Sequence, residues 1–274
     1  GNLNSEINGK LSYSPNPVFL SDGGVNLTRL TISLTPTGNF NEWRWSATAV
    51  PAGTIGGTST GIITLDDAGN VVSCTGGPMT VDILDSNGAV VATYNLVLPA
   101  AGAANGGSFV FQDAAGGLPD VAMTGAFEPA EDIYTNINVY DSLGQAHSVT
   151  TTFHKTGNNT WTWTATTQNG TIASNTGVLV FDTTGALQIV TGGPITIVYP
   201  GVNQLQITPD LFSITQYAAD STIMAYSQNG YPMGELESFS VDSTGRLIGV
   251  FSNGLSETLA QIALADFNNP GGLI

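Results

Sequence analysis

Histidine and cysteine, the residue types that most often bind metals or act as bases and nucleophiles, are scarce in this sequence. His147 and His154 are the only histidines, and Cys74 is the only cysteine. The histidines are seven positions apart in a predicted strand and point to opposite faces, so they cannot form a local metal pair. We interpret Cys74 as a small buried side chain rather than a reactive or cross-linking thiol. With no phosphate-binding or nucleophile motif either, we expect neither an enzyme nor a cofactor.

A four-residue pattern, in which glycine follows aspartate by three positions, recurs along the chain. It occurs at Asp66–Gly69, Asp85–Gly88, Asp113–Gly116, Asp141–Gly144, Asp182–Gly185 and Asp242–Gly245. The aspartate side chain can cap a turn, and glycine readily adopts the positive φ that closes it. Oxygen-rich loops also bind calcium, but none of these has the dense acidic spacing of a dedicated calcium loop. We therefore predict plain turns and no metal site.

Tryptophans occur in two pairs whose members are two positions apart. Trp43 and Trp45 share one face of a predicted strand, and so do Trp161 and Trp163, because alternate residues of a strand point the same way. Two exposed indoles on one face could form a platform for sugar stacking. Both pairs keep their phase with neighbouring aliphatic positions, so we predict that all four are core residues packed against an opposite sheet.

The chain is strongly acidic. It has 5 lysines and arginines against 21 aspartates and glutamates, a formal net charge of -16 at pH 7. The cations are scattered, at Lys10, Arg29, Arg44, Lys155 and Arg246. Phosphate binding needs clustered cations, so we expect binding neither to nucleic acid nor to an anionic membrane. No apolar run approaches the roughly 18 residues of a membrane-spanning helix.

The elements that must position these residues are strands. Leu30, Ile32 and Leu34 alternate with threonine and serine, as do Val149 and Phe153 with their neighbours, which is the period of a half-buried strand. Turn signals separate such runs at short, regular spacing, and they include Asn-Gly pairs at positions 87, 169, 229 and 253. We predict an all-β chain of tandem antiparallel β-sandwich or barrel-like domains.

A long internal repeat indicates a duplicated domain. The stretch from Leu30 to Pro78 matches that from Val149 to Pro194, with a tryptophan pair and a Thr-Gly-Gly-Pro sequence in corresponding places. The period, about 116 residues, is too long for a solenoid and fits tandem domains. We predict an inserted outer domain over 16–127, a second outer domain formed by 1–15 and 128–215, and a third segment over 216–274.

The two ends of the chain and the second repeat carry further motifs. Their residues are Asn2, Leu3, Asn4, Tyr140, Asp141, Gly144, Asn229, Gly230, Asn253, Gly254, Phe267, Asn269 and Pro270. The C-terminal motifs resemble the segment that precedes the C-terminal helical region of flagellar hook and distal-rod proteins. The run from Val139 to His147 resembles the hook family specifically, and Gly1–Ser5 resembles the entry of its chain into the outer domain.

The resemblance covers Gly1–Ser5 and about 133–274, and it implies an extracellular subunit of the bacterial flagellum. Such a subunit is exported unfolded through a type III route and forms a homo-oligomer, the curved tube that transmits torque from rod to filament. Rod and hook-filament junction proteins would be its other partners. The first repeat departs from shorter family members and is interpreted as an inserted domain. The terminal helical segments are missing, so we expect a fragment whose last domain is incomplete.

Two alternatives stay open at this point, one from a different class and one from a close relative of the hook proteins. The acidity and the tryptophan pairs would suit a carbohydrate-binding or adhesive extracellular β-module. The C-terminal motifs also fit a distal rod protein, although the central region of such proteins is usually smaller.

Overall fold

The computed structural model describes residues 1–51 and 54–263. This part of the chain consists of strands and turns, with one short 3-10 helix at Ala104–Gly106 and no α-helix. The all-β prediction is confirmed. Among the described residues no helix has the length and apolarity needed to span a bilayer. Three of the motif residues, Phe267, Asn269 and Pro270, lie outside the described ranges.

Twelve of the described strands lie between the N-terminus and residue 128. They are β1 (Asn2–Asn4), β2 (Lys10–Ser14), β3 (Val18–Ser21), β4 (Leu27–Pro36), β5 (Glu42–Val50), β6 (Ile55–Gly57), β7 (Thr60–Leu65), β8 (Val71–Cys74), β9 (Met79–Leu84), β10 (Val90–Val97), β11 (Ser108–Asp113) and β12 (Val121–Glu128). Two sheets, ordered β3-β4-β5-β7-β8 and β2-β12-β11-β10-β9-β6, enclose one hydrophobic core in the first repeat.

The other twelve described strands follow residue 132. They are β13 (Ile133–Tyr140), β14 (Ala146–Gly157), β15 (Thr160–Thr167), β16 (Thr171–Ala173), β17 (Thr176–Phe181), β18 (Leu187–Val190), β19 (Ile195–Val198), β20 (Leu205–Ile207), β21 (Thr215–Tyr217), β22 (Leu236–Val241), β23 (Arg246–Phe251) and β24 (Ser256–Gln261). In the second repeat the sheets are β13-β14-β15-β17-β18 and β16-β19-β20, around a separate core.

The strand order of the two five-stranded sheets is the same, which confirms the internal duplication. The register agrees as well, because Trp45 pairs with Leu34 and Gly61 just as Trp163 pairs with Phe153 and Gly177. The second sheets differ in size. In the first repeat β11, β12 and β2 extend that sheet to six strands, whereas the second repeat stops at three.

Two terminal strands pair over long distances in sequence. Strand β2 hydrogen-bonds to β12, so residues 10–14 lie in a sheet of the first repeat and not, as predicted, with the second outer domain. Strand β1 runs parallel to β21 and places Leu3, fully buried, in the core of the second repeat. The remaining strands form an antiparallel sheet, β22-β23-β24, in which β22 and β24 are exposed along their whole length.

Candidate functional site

The four tryptophans are inward-facing residues of the two five-stranded sheets. Trp43 is 5% exposed, and Trp45, Trp161 and Trp163 are 0% exposed. Each indole except that of Trp43 donates a hydrogen bond inside the protein, for example from Trp161 Nε1 to Gln216 Oε1 at 2.7 Å. A sugar-stacking platform needs an exposed ring face, and these residues present none.

In the six Asp-x-x-Gly turns the carboxylates are used internally. Asp182 accepts hydrogen bonds from the backbone N–H of Thr184 and Ala186 at 2.8 and 3.0 Å, and Asp141 accepts those of Leu143 and Gln145 at 2.8 and 3.0 Å. The same pattern recurs at Asp66, Asp85, Asp113 and Asp242. Hydrogen bonds stabilise the ionised form and lower the pKa of all six carboxyl groups. The largest contribution comes from the side chains of Asn70, His147 and Thr184 at Asp66, Asp141 and Asp182, and from backbone N–H groups at the other three. Among residues 1–51 and 54–263, no cluster of three potential metal ligands occurs.

The histidines and the cysteine lie in separate places. His147 Nε2 lies 2.8 Å from Asp141 Oδ2, and the imidazole stacks on Tyr199 with 3.7 Å between ring centroids. His154 Nδ1 lies 2.6 Å from Asp132 Oδ1. Cys74 is half-buried at the edge strand β8, and burial raises the pKa of its thiol to about 11. A thiol with so high a pKa is almost entirely protonated at neutral pH, which makes it a weak nucleophile.

A buried lysine marks the junction between the two repeats. Lys155 lies at the end of β14 with 2% of its surface exposed. Its Nζ donates hydrogen bonds to the backbone carbonyls of Ser5 and Ile7, the latter at 3.0 Å, in the segment that leads from β1 to β2. The same Nζ lies 5.4 Å from the ring centroid of Phe40, in the β4–β5 turn of the first repeat. One cation therefore contacts the second repeat, the connecting segment and the first repeat.

Burial costs the ammonium group its hydration, and this lowers the pKa of Lys155 to about 8. The repeated fold does not require a lysine at this position, because Pro36 occupies the equivalent position in the first repeat. Lys155 was missed as a site residue in the sequence. The signal was present, since Lys155 continues the inward phase of Val149 and Phe153, where a charge is unusual.

Polar contacts around Lys155 close the same junction. The backbone N–H of Phe40 donates to Asn158 Oδ1 across the two repeats at 2.5 Å. In the connecting segment, Gly9 N donates to Asn41 Oδ1 at 3.0 Å and Asn41 N donates to Asn8 Oδ1 at 2.8 Å. The repeats are therefore joined by directional contacts, and the orientation between them is restricted.

The motif residues from the sequence come together at two other joints. Asn2 Nδ2 donates a hydrogen bond to the carbonyl of Ala219 at 3.1 Å, and the backbone N–H of Asn4 donates one to Ser221 Oγ at 3.1 Å. At the turn Asp141–Gly144, the carbonyl of Gly144 accepts a hydrogen bond from Met233 N at 3.3 Å.

The segment around Met233 continues this second joint. Gly230 lies against Tyr140, and Asn253 Nδ2 donates to the carbonyl of Pro232 at 2.9 Å. Gly254 lies in the following turn with a φ of 81°, whereas Asn229 is exposed. These contacts tie the strand sheet β22-β23-β24 to the second repeat.

Comparison with known proteins shows which proteins this chain is similar to. The sequence profile of the family described as flagellar basal body protein FlaE D2 domain matches residues 118–231. Residues 118–231 are thus similar to a flagellar D2 domain. That range holds the second repeat, Lys155 and the joint at Gly144.

Curated relatives agree with this assignment. The flagellar hook protein FlgE of Treponema pallidum is 34% identical, over 51% of this chain and 40% of the relative. That of Borreliella burgdorferi is 36% identical, over 50% of this chain and 36% of the relative. The FlgE protein of Caulobacter vibrioides is 26% identical over 72% of this chain and 41% of its own length. The resemblance to hook proteins is confirmed, and the chain spans about two fifths of these relatives.

Two solved structures are also similar. One is the Helicobacter pylori flagellar hook protein FlgE2, which is 15% identical with a TM-score of 0.39, covering 100% of this chain and 67% of that one. The other is a 32 kDa fragment of FlgE from Caulobacter crescentus, which is 17% identical with a TM-score of 0.31, covering 81% of this chain and 95% of that one.

Proposed function

We propose that this chain is part of a structural subunit of the bacterial flagellar hook. The observation that carries the proposal is the match of a D2 domain at 118–231, together with relatives named flagellar hook protein at 33–36% identity over half the chain. In this proposal the protein acts outside the cell as a polymer of identical subunits that transmits torque from rod to filament. Rod and hook-filament junction proteins are its other partners, and it is not an enzyme.

The outer surface of the second repeat supports a role in contacts that change as a curved tube rotates. Thr150, Thr152, Thr162 and Thr164 are neutral, partly exposed residues on the outer face of β14 and β15. Hydrogen bonds made by such side chains contribute only about 1 kcal/mol each, so neighbouring subunits can exchange them at little cost. Junctions such as that at Lys155 would keep each subunit stiff while the contacts between subunits change.

The division into domains remains a proposal. We propose an inserted outer domain, an outer domain that corresponds to the second repeat, and a third segment that contains β22-β23-β24. The pairing of β2 with β12 favours a boundary near Gly9 rather than near Pro15. The pairing of β1 with β21 favours ending the second domain after Tyr217.

Immunogold electron microscopy of the source cells tests the function. Antibody raised against the chain is expected to label short curved segments between the cell surface and the filament. Antibody absorbed with the purified chain, and cells that lack the gene, serve as controls. Labelling spread over the cell envelope would contradict the hook assignment. Labelling of rods but not of purified hooks would favour the distal rod alternative.

A further inference from the structure

Apolar side chains surround an arginine on the outer face of the first repeat. Arg29 on β4 is paired with Phe19 on β3 and with Val50 on β5, so the three side chains form one row across the sheet. Leu27 lies two positions before Arg29 on the same face. Phe19, Leu27 and Val50 are 58%, 56% and 61% exposed, and Arg29 is exposed as well. We call these four residues the Arg29 face.

The second repeat shows that the fold does not need this composition. Its strands have the same order and register, and they place Asn138, Ala146 and Ser148 where the first repeat has Phe19, Leu27 and Arg29. Gln168 follows Thr167, the last residue of β15, just as Val50 follows Ala49. Small or neutral polar residues therefore suffice for the same sheet. Exposed aromatic and aliphatic side chains around a cation have to be explained by something other than folding.

The turn beside this face is covered in one repeat and bare in the other. In the second repeat, Met233 of the same chain hydrogen-bonds to Gly144 in the turn between β13 and β14. In the first repeat, the residue equivalent to Gly144 is Val25, in the turn between β3 and β4, and it is 92% exposed. This corner of the repeat can thus accept a polypeptide segment, and in the first repeat no described segment of the chain covers Val25.

The charge of the face indicates what binds there. Of the other cations, Lys155 is buried and Lys10 lies 3.9 Å from Glu128. Within the described residues no carboxylate lies within ion-pairing distance of Arg29. Interfaces are enriched in arginine and aromatic residues, and these dominate their binding energy. A second copy of this chain, with its net charge of -16, offers an acidic surface that complements such a face.

We propose that the Arg29 face is a contact surface for a second copy of this chain, and that it binds an acidic surface of that copy. Two Arg29 faces placed against each other would bring the arginines together, which disfavours a two-fold contact. A contact between unlike surfaces continues from copy to copy and builds an open polymer when the rotation does not close. The inference rests on the proposed function in one respect, namely that the subunits polymerise.

Sedimentation equilibrium of the purified chain at low ionic strength tests the proposal. The variants take the residues of the second repeat, singly and together: F19N, L27A, R29S and V50Q. Lys10→Ser is the matched control, because it changes the net charge as R29S does. The parent chain is expected to self-associate with a Kd below about 1 mM, weakened about tenfold by R29S and further by the combined variant. K10S should change the Kd less than about twofold, and thermal melts establish that each variant folds.

Either of two results would overturn the proposal: a parent chain that stays monomeric, or R29S and combined variants that associate as the parent does. The hook assignment is judged separately by the labelling experiment. If the antibody labels hooks but the variants associate as the parent does, the proposal for the Arg29 face is wrong and the proposed function stands. If the variants associate more weakly but the antibody labels other structures, the Arg29 face is a contact between copies and the proposed hook function is wrong.

Discussion

The indole Nε1 of Trp45 donates a hydrogen bond to the carbonyl oxygen of Thr75 at 2.9 Å. Trp163 and Thr191 repeat this relationship at 3.0 Å in the second repeat. In both places the bond joins a fully buried tryptophan to the start of the Thr-Gly-Gly-Pro sequence. The two residues are 30 positions apart in the first repeat and 28 in the second, so the bond ties together distant parts of each sheet.

Replacing either tryptophan should destabilise its repeat. Trp45→Ala and Trp163→Ala are each expected to cost about 3–5 kcal/mol, because a large cavity is left in the core. Trp163→Phe keeps most of the ring but leaves the carbonyl of Thr191 without its donor, which should cost about 1–3 kcal/mol. Urea denaturation followed by circular dichroism measures these changes. Tyr134→Ala is the control, because Tyr134 is 71% exposed. If Trp163→Ala lowered the unfolding free energy no more than Tyr134→Ala does, the core role of Trp163 would be refuted.

The glycines beneath these tryptophans should not tolerate a side chain. A Cβ on Gly61 would lie 1.8 Å from the carbonyl oxygen of Thr75, and one on Gly177 would lie 1.9 Å from that of Thr191. Because both neighbours are backbone atoms, the strands would have to separate. We expect Gly61→Ala and Gly177→Ala to lower the unfolding free energy by about 3 kcal/mol or more, as measured by thermal denaturation.

Gly117→Ala is the matched control for the glycine variants. Its Cβ would meet no atom closer than 3.9 Å, and the backbone there does not have a positive φ. The stability of this variant should stay within about 0.5 kcal/mol of the parent. Equal effects at positions 61 and 117 would argue against the close approach of the strands.

Lys155 should make the stability of the chain increase with pH above neutrality. Its pKa is lowered from 10.5 to about 8 in the folded protein, so the folded state bears the cost of a buried charge below pH 8. Between about pH 8 and 10.5 the folded lysine loses its proton while the unfolded one keeps it, so the unfolding free energy rises. The rise attributable to this group is on the order of 3 kcal/mol.

Urea denaturation at a series of pH values from about 7 to about 10 measures this dependence. Lys155→Met removes the titrating group and should flatten the rise, whereas Lys10→Met, at a lysine whose side chain is 78% exposed, should retain it. An unchanged pH profile in Lys155→Met would show that the lysine does not titrate in the buried junction.

The aspartate turns should make the protein sensitive to acid. Backbone and side-chain donors lower the pKa of their carboxyl groups, and Asp182, helped most by the Thr184 hydroxyl, falls from 3.8 to about 2. Because the folded pKa is the lower one, this stabilisation is complete above the unfolded pKa and is lost as the pH falls through the folded value. The unfolding free energy should therefore decrease from about pH 4 towards pH 2.

Asp182→Asn tests one turn in isolation. The variant should be less stable than the parent at neutral pH and should show a shallower decrease in acid. Asp120→Asn, at an exposed carboxylate outside these turns, is the control and should follow the parent profile. A decrease in Asp182→Asn as steep as in the parent would show that this turn contributes nothing to acid sensitivity.

Local structure could be predicted from the sequence because its causes are local. The alternation of Leu30, Ile32 and Leu34 selects a strand with one buried face, and aspartate with glycine closes the turns between strands. The duplication was also legible, since both copies keep the same inward positions. The preserved spacing of the tryptophan pairs indicated core positions, and the structure buries all four residues.

Only the tertiary structure decided which distant segments meet. Strand β2 pairs with β12 and β1 with β21, and Lys155 reaches the carbonyl of Ser5, 150 positions away. Such contacts depend on the packing of whole sheets, and no short-range pattern encodes them. The exposure of the Arg29 face could not be predicted from the sequence either. The alternation of apolar and polar residues shows that the two faces of a strand differ, but it does not show whether another segment covers the outer face. The sequence by itself thus determined the strands, the turns and the repeat, whereas three-dimensional packing decided the junctions and the open surface.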